Sequence, residues 1–98
     1  MEYIATMTWT VFVKKAVVKQ ARSMPKKAKE NLYSLMLEIQ EAGPVRGNWP
    51  NYSKLASNRH HCHLKKGRPT YVAVWEEKEG SINIVEVIYA GTHEKAPY

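Results

Sequence analysis

The stretch Arg59-His60-His61-Cys62-His63-Leu64-Lys65 decides the fold, because its alternate residues cannot share one environment. Successive side chains of a strand point to opposite faces, which sends Arg59, His61, His63 and Lys65 one way and His60, Cys62 and Leu64 the other. A face made only of cationic and ionisable groups cannot pack under a helix. It is therefore the open side of a sheet whose other side is covered, and Tyr71 or Trp75 of the next strand is expected beside it.

Beyond this strand, β-branched and aromatic residues predict further strands over 70–77 and 82–90, and a short one precedes it over 53–55. The connections Lys66-Gly67-Arg68-Pro69 and Lys78-Glu79-Gly80-Ser81 are short enough for hairpins, which makes these four strands an antiparallel meander. Upstream, Ala28, Leu32, Leu35, Ile39 and Ala42 recur in steps of four and three and predict a helix over 26–42, ended by Gly43 and Pro44. Leu32, Leu35 and Ile39 are expected to face the sheet. Val17, Val18, Ala21 and Met24 set a shorter basic helix over 14–24, which Pro25 interrupts. Two helices with so short a break form an αα-hairpin. A first strand over 8–13 alternates Thr8, Thr10 and Phe12 with Trp9, Val11 and Val13. The order is βααββββ, an α+β fold: an N-terminal αα-hairpin on one face of a mostly antiparallel twisted sheet, with the other face open and basic.

A chain of 98 residues supports one hydrophobic core, so residues 1–98 are expected to be a single domain. With 44% hydrophobic and 24% charged residues, neither disorder nor a repetitive fibre fits. One cysteine, Cys62, cannot form an internal disulfide, and nothing points to an oxidising compartment. The first 13 residues carry Glu2, scattered threonines and no basic leader, resembling neither a signal peptide nor a membrane span. The expected location is the cytoplasm, without membrane attachment.

Charge carries the functional signal. The chain has 15 Lys and Arg against 9 acids, a net charge of +6, which favours an anionic partner. Between Glu41 and Glu76 there is no acid, while Arg46, Lys54, Arg59, Lys65, Lys66 and Arg68 all fall there with three of the four histidines. Phosphates are the natural occupants of such a face. A zinc site at His61, Cys62, His63 and His93 is set aside. Cys62 points away from both strand histidines, no second cysteine exists, and Arg59 and Lys65 would repel a dication. The tail Gly91-Thr92-His93-Glu94-Lys95-Ala96-Pro97-Tyr98 adds proton-transfer groups, and Gly91 and Pro97 limit its freedom, so it can fold back over the open face.

The element order, the break at Pro25 and the tail from Gly91 to Tyr98 together resemble the RelE/ParE superfamily of bacterial toxins across the whole chain. Three stretches resemble its RelE-type cytotoxic translational repressors: residues 48–55, beginning Asn48-Trp49-Pro50-Asn51-Tyr52; residues 58–65; and Tyr71-Val72-Ala73-Val74-Trp75-Glu76. The resemblance implies an mRNA endoribonuclease acting in the ribosomal A site, beside 16S rRNA, without metal or other cofactor. It implies a monomer when free and a hetero-oligomer with a cognate antitoxin that holds it inactive. His61 and His63 fall where the family pattern has two lysines. His93 matches its basic or histidine side chain after the last strand, and Tyr98 its tyrosine near the C-terminus. The family's sheet arginine, in a Tyr-Arg-x-x-Tyr context, has no counterpart in Thr70-Tyr71-Val72-Ala73-Val74-Trp75, so Arg59 or Arg68 must supply that charge. ParE relatives keep the fold, act on DNA gyrase and lack the ribonuclease residues; a toxin of that kind is the alternative.

Metal-free RNA cleavage needs the 2′-hydroxyl deprotonated, the charge on the pentavalent phosphate neutralised and the leaving 5′-oxygen protonated. His93 or Tyr98 is the candidate base and His61 or His63 the candidate acid. Arg59 and Lys65 form the clamp, with Arg68 and Lys54 as further phosphate contacts. Tyr98, Trp75 or Trp49 could stack on a base. Glu94 either orients His93 or is solvated.

Overall fold

The apolar stripe of the longer helix packs as its spacing requires. In a computed structural model, which describes residues 8–98, helix α1 covers Lys15–Arg22 and helix α2 covers Lys26–Ala42. Ala28, Leu32, Leu35 and Ile39 of α2 are all buried, and the hairpin lies on one face of a five-stranded sheet. The strands are β1 (Thr10–Val13), β2 (Ser53–Ala56), β3 (Arg59–Lys65), β4 (Tyr71–Glu77) and β5 (Ile84–Thr92). Their order is β1-β5-β4-β3-β2, with β1 parallel to β5 and every other pair antiparallel. The expected βααββββ order and layering are thus observed, while the reading of residues 1–7 lies outside the described residues. No helix among the described residues is long and apolar enough to cross a membrane.

Two departures come from turns and helix phase. β5 begins at Ile84, later than expected, because Asn83 has φ of 55° and the Lys78 amide donates to the Ile84 carbonyl at 2.9 Å, closing a longer hairpin loop that leaves Ile82 in solvent. In α1 only Val17 is buried. Val18 is exposed, because successive helical side chains point about 100° apart and the inward direction is taken by Val17.

Trp75 overturns an expectation. It stands opposite His60, which places it on the helix side of the sheet, fully buried and stacked on the His60 ring at 5.8 Å. Its indole N–H donates to the Pro44 carbonyl at 2.9 Å. Tyr71 packs on the same core, and Trp49 packs against it while donating to Glu38 at 2.9 Å. The reason is volume: the helix side has the apolar space and the carbonyl that an indole needs, so Trp75 cannot stack on RNA. Val72 and Val74 take the opposite face, forming a second small cluster with Tyr89, Leu55, Ile88 and Ala96. A register shift in β5 pairs Tyr89 with Val74 but Val87 with Trp75, which leaves Ile88 unpaired and lets it join that cluster.

Glu38 holds the α2–β2 loop down. Its carboxylate accepts from Asn48 at 2.9 Å, Trp49 at 2.9 Å and Arg46 at 3.1 Å. The Asn48 bond, then those of Trp49 and Arg46, outweigh the opposing effect of burial and lower its pKa below 4.5. A carboxyl lowered on folding stabilises the protein above its unfolded value, and that stability fades as pH falls through the folded value. Glu38→Ala is therefore expected to cost about 1–2 kcal/mol at pH 7, the carboxylate being partly in water, and much less at pH 3. Urea melts at the two pH values would show this; an equal loss at both would refute it.

Candidate active site

β3 places His61 and His63 on the face away from the helices, while Cys62 and Leu64 enter the core. The tail then supplies their partners. The His93 amide donates to the Thr70 carbonyl at 2.8 Å, and a 3-10 turn over His93–Lys95 reverses the chain. Ala96 settles on the Val72, Val74 and Tyr89 cluster, which carries Tyr98 across β4 to His61. The end of β5 is braced by the Tyr89 hydroxyl, which donates to the Thr92 carbonyl at 2.7 Å. A Cβ at position 91 would lie 2.8 Å from that hydroxyl oxygen, so a side chain there would push the Tyr89 ring from its bond to Thr92.

Four ring side chains close into a circuit. Centroids are 6.1 Å apart for His61 and His63, 5.6 Å for His63 and His93, 5.8 Å for His93 and Tyr98, and 4.6 Å for Tyr98 and His61. Burial lowers His61 below 6.5, helped by His93 and opposed by the Ser53 carbonyl. Burial likewise lowers His63, with His61 and His93 adding to it. Tyr98 is raised above 10, chiefly by burial. At neutral pH the cluster therefore holds two uncharged strand imidazoles and a protonated phenol, groups fit to accept and donate protons. Beside it lies a cleft of about 760 Å³, with His63 and His93 in its wall, Thr70 and Thr92 between them, and Arg68, Lys95 and Glu94 at its edge.

His61, His63, His93 and Tyr98 thus come together as the sequence suggests, and Arg68 joins them. Three other expected binders do not. Arg59 is committed to Glu76, at 3.0 and 3.3 Å, within a ladder in which Lys78 links Glu76 and Glu86. Lys54 pairs across from His60, so it is directed to the opposite face from His61. Trp75 is in the core. Lys65, by contrast, stays near the site: a register shift separates it from His63, but its ammonium lies by Gly67 in the cleft wall, and it lines a neighbouring hollow together with His63 and Thr70. Sequence reading missed Lys95, two residues after His93 but sharing the cleft because the 3-10 turn doubles back. It also missed Ser53, whose cross-strand position opposite His61 has no signature in one strand alone.

No family model matches the chain, and no curated protein does either. Solved structures do. A doubly substituted mutant of E. coli toxin RelE in the free state aligns with a TM-score of 0.67 at 18% identity, covering 90% of this chain and 86% of that one. A chain of the archaeal RelE–RelB complex from Pyrococcus horikoshii aligns with a TM-score of 0.60 at 14% identity, covering 92% and 100%. The protein has the RelE fold.

Proposed function

We propose that this protein is the toxin of a toxin–antitoxin module, an endoribonuclease that cuts mRNA on the ribosome without a cofactor and so stops translation. The observation that carries this reading is the convergence of His61, His63, His93 and Tyr98 on the open face of a RelE-like sheet, beside a cleft edged by Arg68 and Lys95. In-line attack of a 2′-hydroxyl needs a base, an acid and a cationic clamp within one phosphate's reach. The four rings supply the proton carriers and the two cations the clamp. Such work is done in the cytoplasm, among translating ribosomes. Primer extension on translated mRNA after brief expression tests it: cuts phased to codons are expected, whereas DNA damage with intact transcripts would replace this reading with a gyrase-directed one.

Arg68 takes the part of the sheet arginine that β4 lacks. Arg68→Ala is expected to weaken RNA binding and to lower the dependence of log K on log salt by about one charge, and Arg59→Ala by less, its charge being met by Glu76. Equal slopes for both variants would reject this assignment.

The partner that fits the rest of the surface is an acidic antitoxin segment, bound to the free monomer as a hetero-oligomer. Seven basic residues from Lys14 to Lys29 stand without an acid among them. Val18, Ala21, Tyr33 and Met36 line a groove of about 270 Å³ between α1 and α2, flanked by Arg22 and Lys29. Affinity for the antitoxin should fall as salt rises. A salt-independent complex would argue against an electrostatic interface.

A further inference from the structure

Two adjacent histidines of β3 are held in opposite ways. In His60 the Nε2 atom meets the Glu77 carboxylate at 2.8 Å and Nδ1 meets the Tyr52 hydroxyl at 2.7 Å. An ionised carboxylate only accepts, so the proton is on Nε2. In His61 the pattern is reversed: Nδ1 lies 3.0 Å from the Ser53 hydroxyl oxygen and 3.4 Å from the Ser53 carbonyl oxygen. The hydroxyl can donate or accept and so fits either form, but a carbonyl oxygen can only accept, and a bare Nδ1 would set one lone pair against another there. The shared contact is therefore satisfied by a proton on Nδ1. Because His61 is largely buried and uncharged at neutral pH, that proton is its only one, and Nε2 is left with a free lone pair.

We infer that Ser53 is a positioning residue, which holds His61 in the Nδ1–H form so that Nε2 serves as the base of the proposed ribonuclease. This inference rests on the function proposed above and reverses the order of roles that the chain suggests, where the tail supplies the base and the strand the acid. In the step it describes, the 2′-hydroxyl proton passes to His61 Nε2 as the O2′–P bond forms. The P–O5′ bond then breaks with its electron pair on O5′, which takes a proton from the Tyr98 phenol across the cluster. The imidazolium left at His61 passes its proton to the adjacent Tyr98 phenolate, which restores both groups. Ser53 plays for His61 the part that a carboxylate or carbonyl plays behind many catalytic imidazoles, fixing which nitrogen is bare. Sequence spacing hides this, since Ser53 and His61 meet only through the β2–β3 pairing.

Nitrogen-15 correlation spectra of the folded protein at pH 7 read each tautomer directly, with His60 as an internal reference of the opposite kind. The expected result is a protonated Nδ1 and a bare Nε2 on His61. A protonated Nε2 on His61 overturns the inference whether or not the protein cuts RNA, while the expected tautomer in a protein without ribonuclease activity would overturn the ribonuclease reading and leave Ser53's hold on the ring intact. In the cleavage assay, Ser53→Ala, which keeps the carbonyl but loses the shorter hydroxyl contact, is expected to leave the tautomer in place yet loosen the ring and lower kcat by about 10-fold with KM unchanged, and Ser53→Thr, which keeps the hydroxyl, to restore it. Ser53 is exposed at the start of an edge strand, so the variant folds. A rise in KM at constant kcat would make Ser53 an RNA contact and overturn its positioning role.

Discussion

His93→Ala is expected to slow mRNA cleavage by about 100-fold or more while leaving the fold and antitoxin binding in place. The side chain is exposed, and the tether that places the tail is the His93 backbone amide on the Thr70 carbonyl, which alanine keeps. What is lost is a proton carrier in the wall of the cleft. Tyr98→Ala is expected to have an effect of similar size, because its ring covers His61 at 4.6 Å and shields that imidazole from water. The His93 and Tyr98 rings also touch, at 5.8 Å, so the double variant should lose less than the product of the two single losses. The pH profile follows from burial: His61 titrates below 6.5, so the rate should climb with pH through a value under 6.5 and then level off. Single-turnover cleavage on stalled ribosomes measures all of this. Undiminished toxicity in the double variant would remove the tail from the mechanism.

Leu35→Ala should destabilise the protein by about 2–5 kcal/mol. Leu35 is wholly buried where α2 meets the sheet, within the cluster that contains Cys62, Trp75 and Val87. Around it, Asn31 donates to the Leu64 carbonyl at 2.7 Å and Trp75 to the Pro44 carbonyl at 2.9 Å, so the helix is pinned and cannot settle into the space left. For a domain of this size the melting temperature should drop by roughly 10 °C or more. Thermal unfolding of the variant is the measurement. An unchanged melting temperature would mean that α2 presents another face.

Local pattern alone determined the helices, the order of the elements along the chain and the two faces of β3, while the parallel seat of β1 beside β5 came from the tertiary fold. Four-and-three spacing along α2 and strict alternation from Arg59 to Lys65 are properties of neighbouring residues, and the backbone periods of 3.6 and 2 translate them directly into faces. The same logic had no purchase on Tyr71-Val72-Ala73-Val74-Trp75, where both phases are apolar. Only the volume under the helices and the Pro44 carbonyl decided that Trp75 goes inward. Charge counts showed that the middle of the chain is basic. They could not show that Arg59 is spent on Glu76, because cross-strand partners are chosen by β-pairing rather than by distance along the chain. The histidines and the tyrosine were legible as chemistry, yet their meeting depended on a turn after Thr92 and an apolar seat for Ala96 on the sheet. Ser53 was invisible for the same reason. A hydrogen bond between strands belongs to the register, and the register is fixed by how the whole sheet packs.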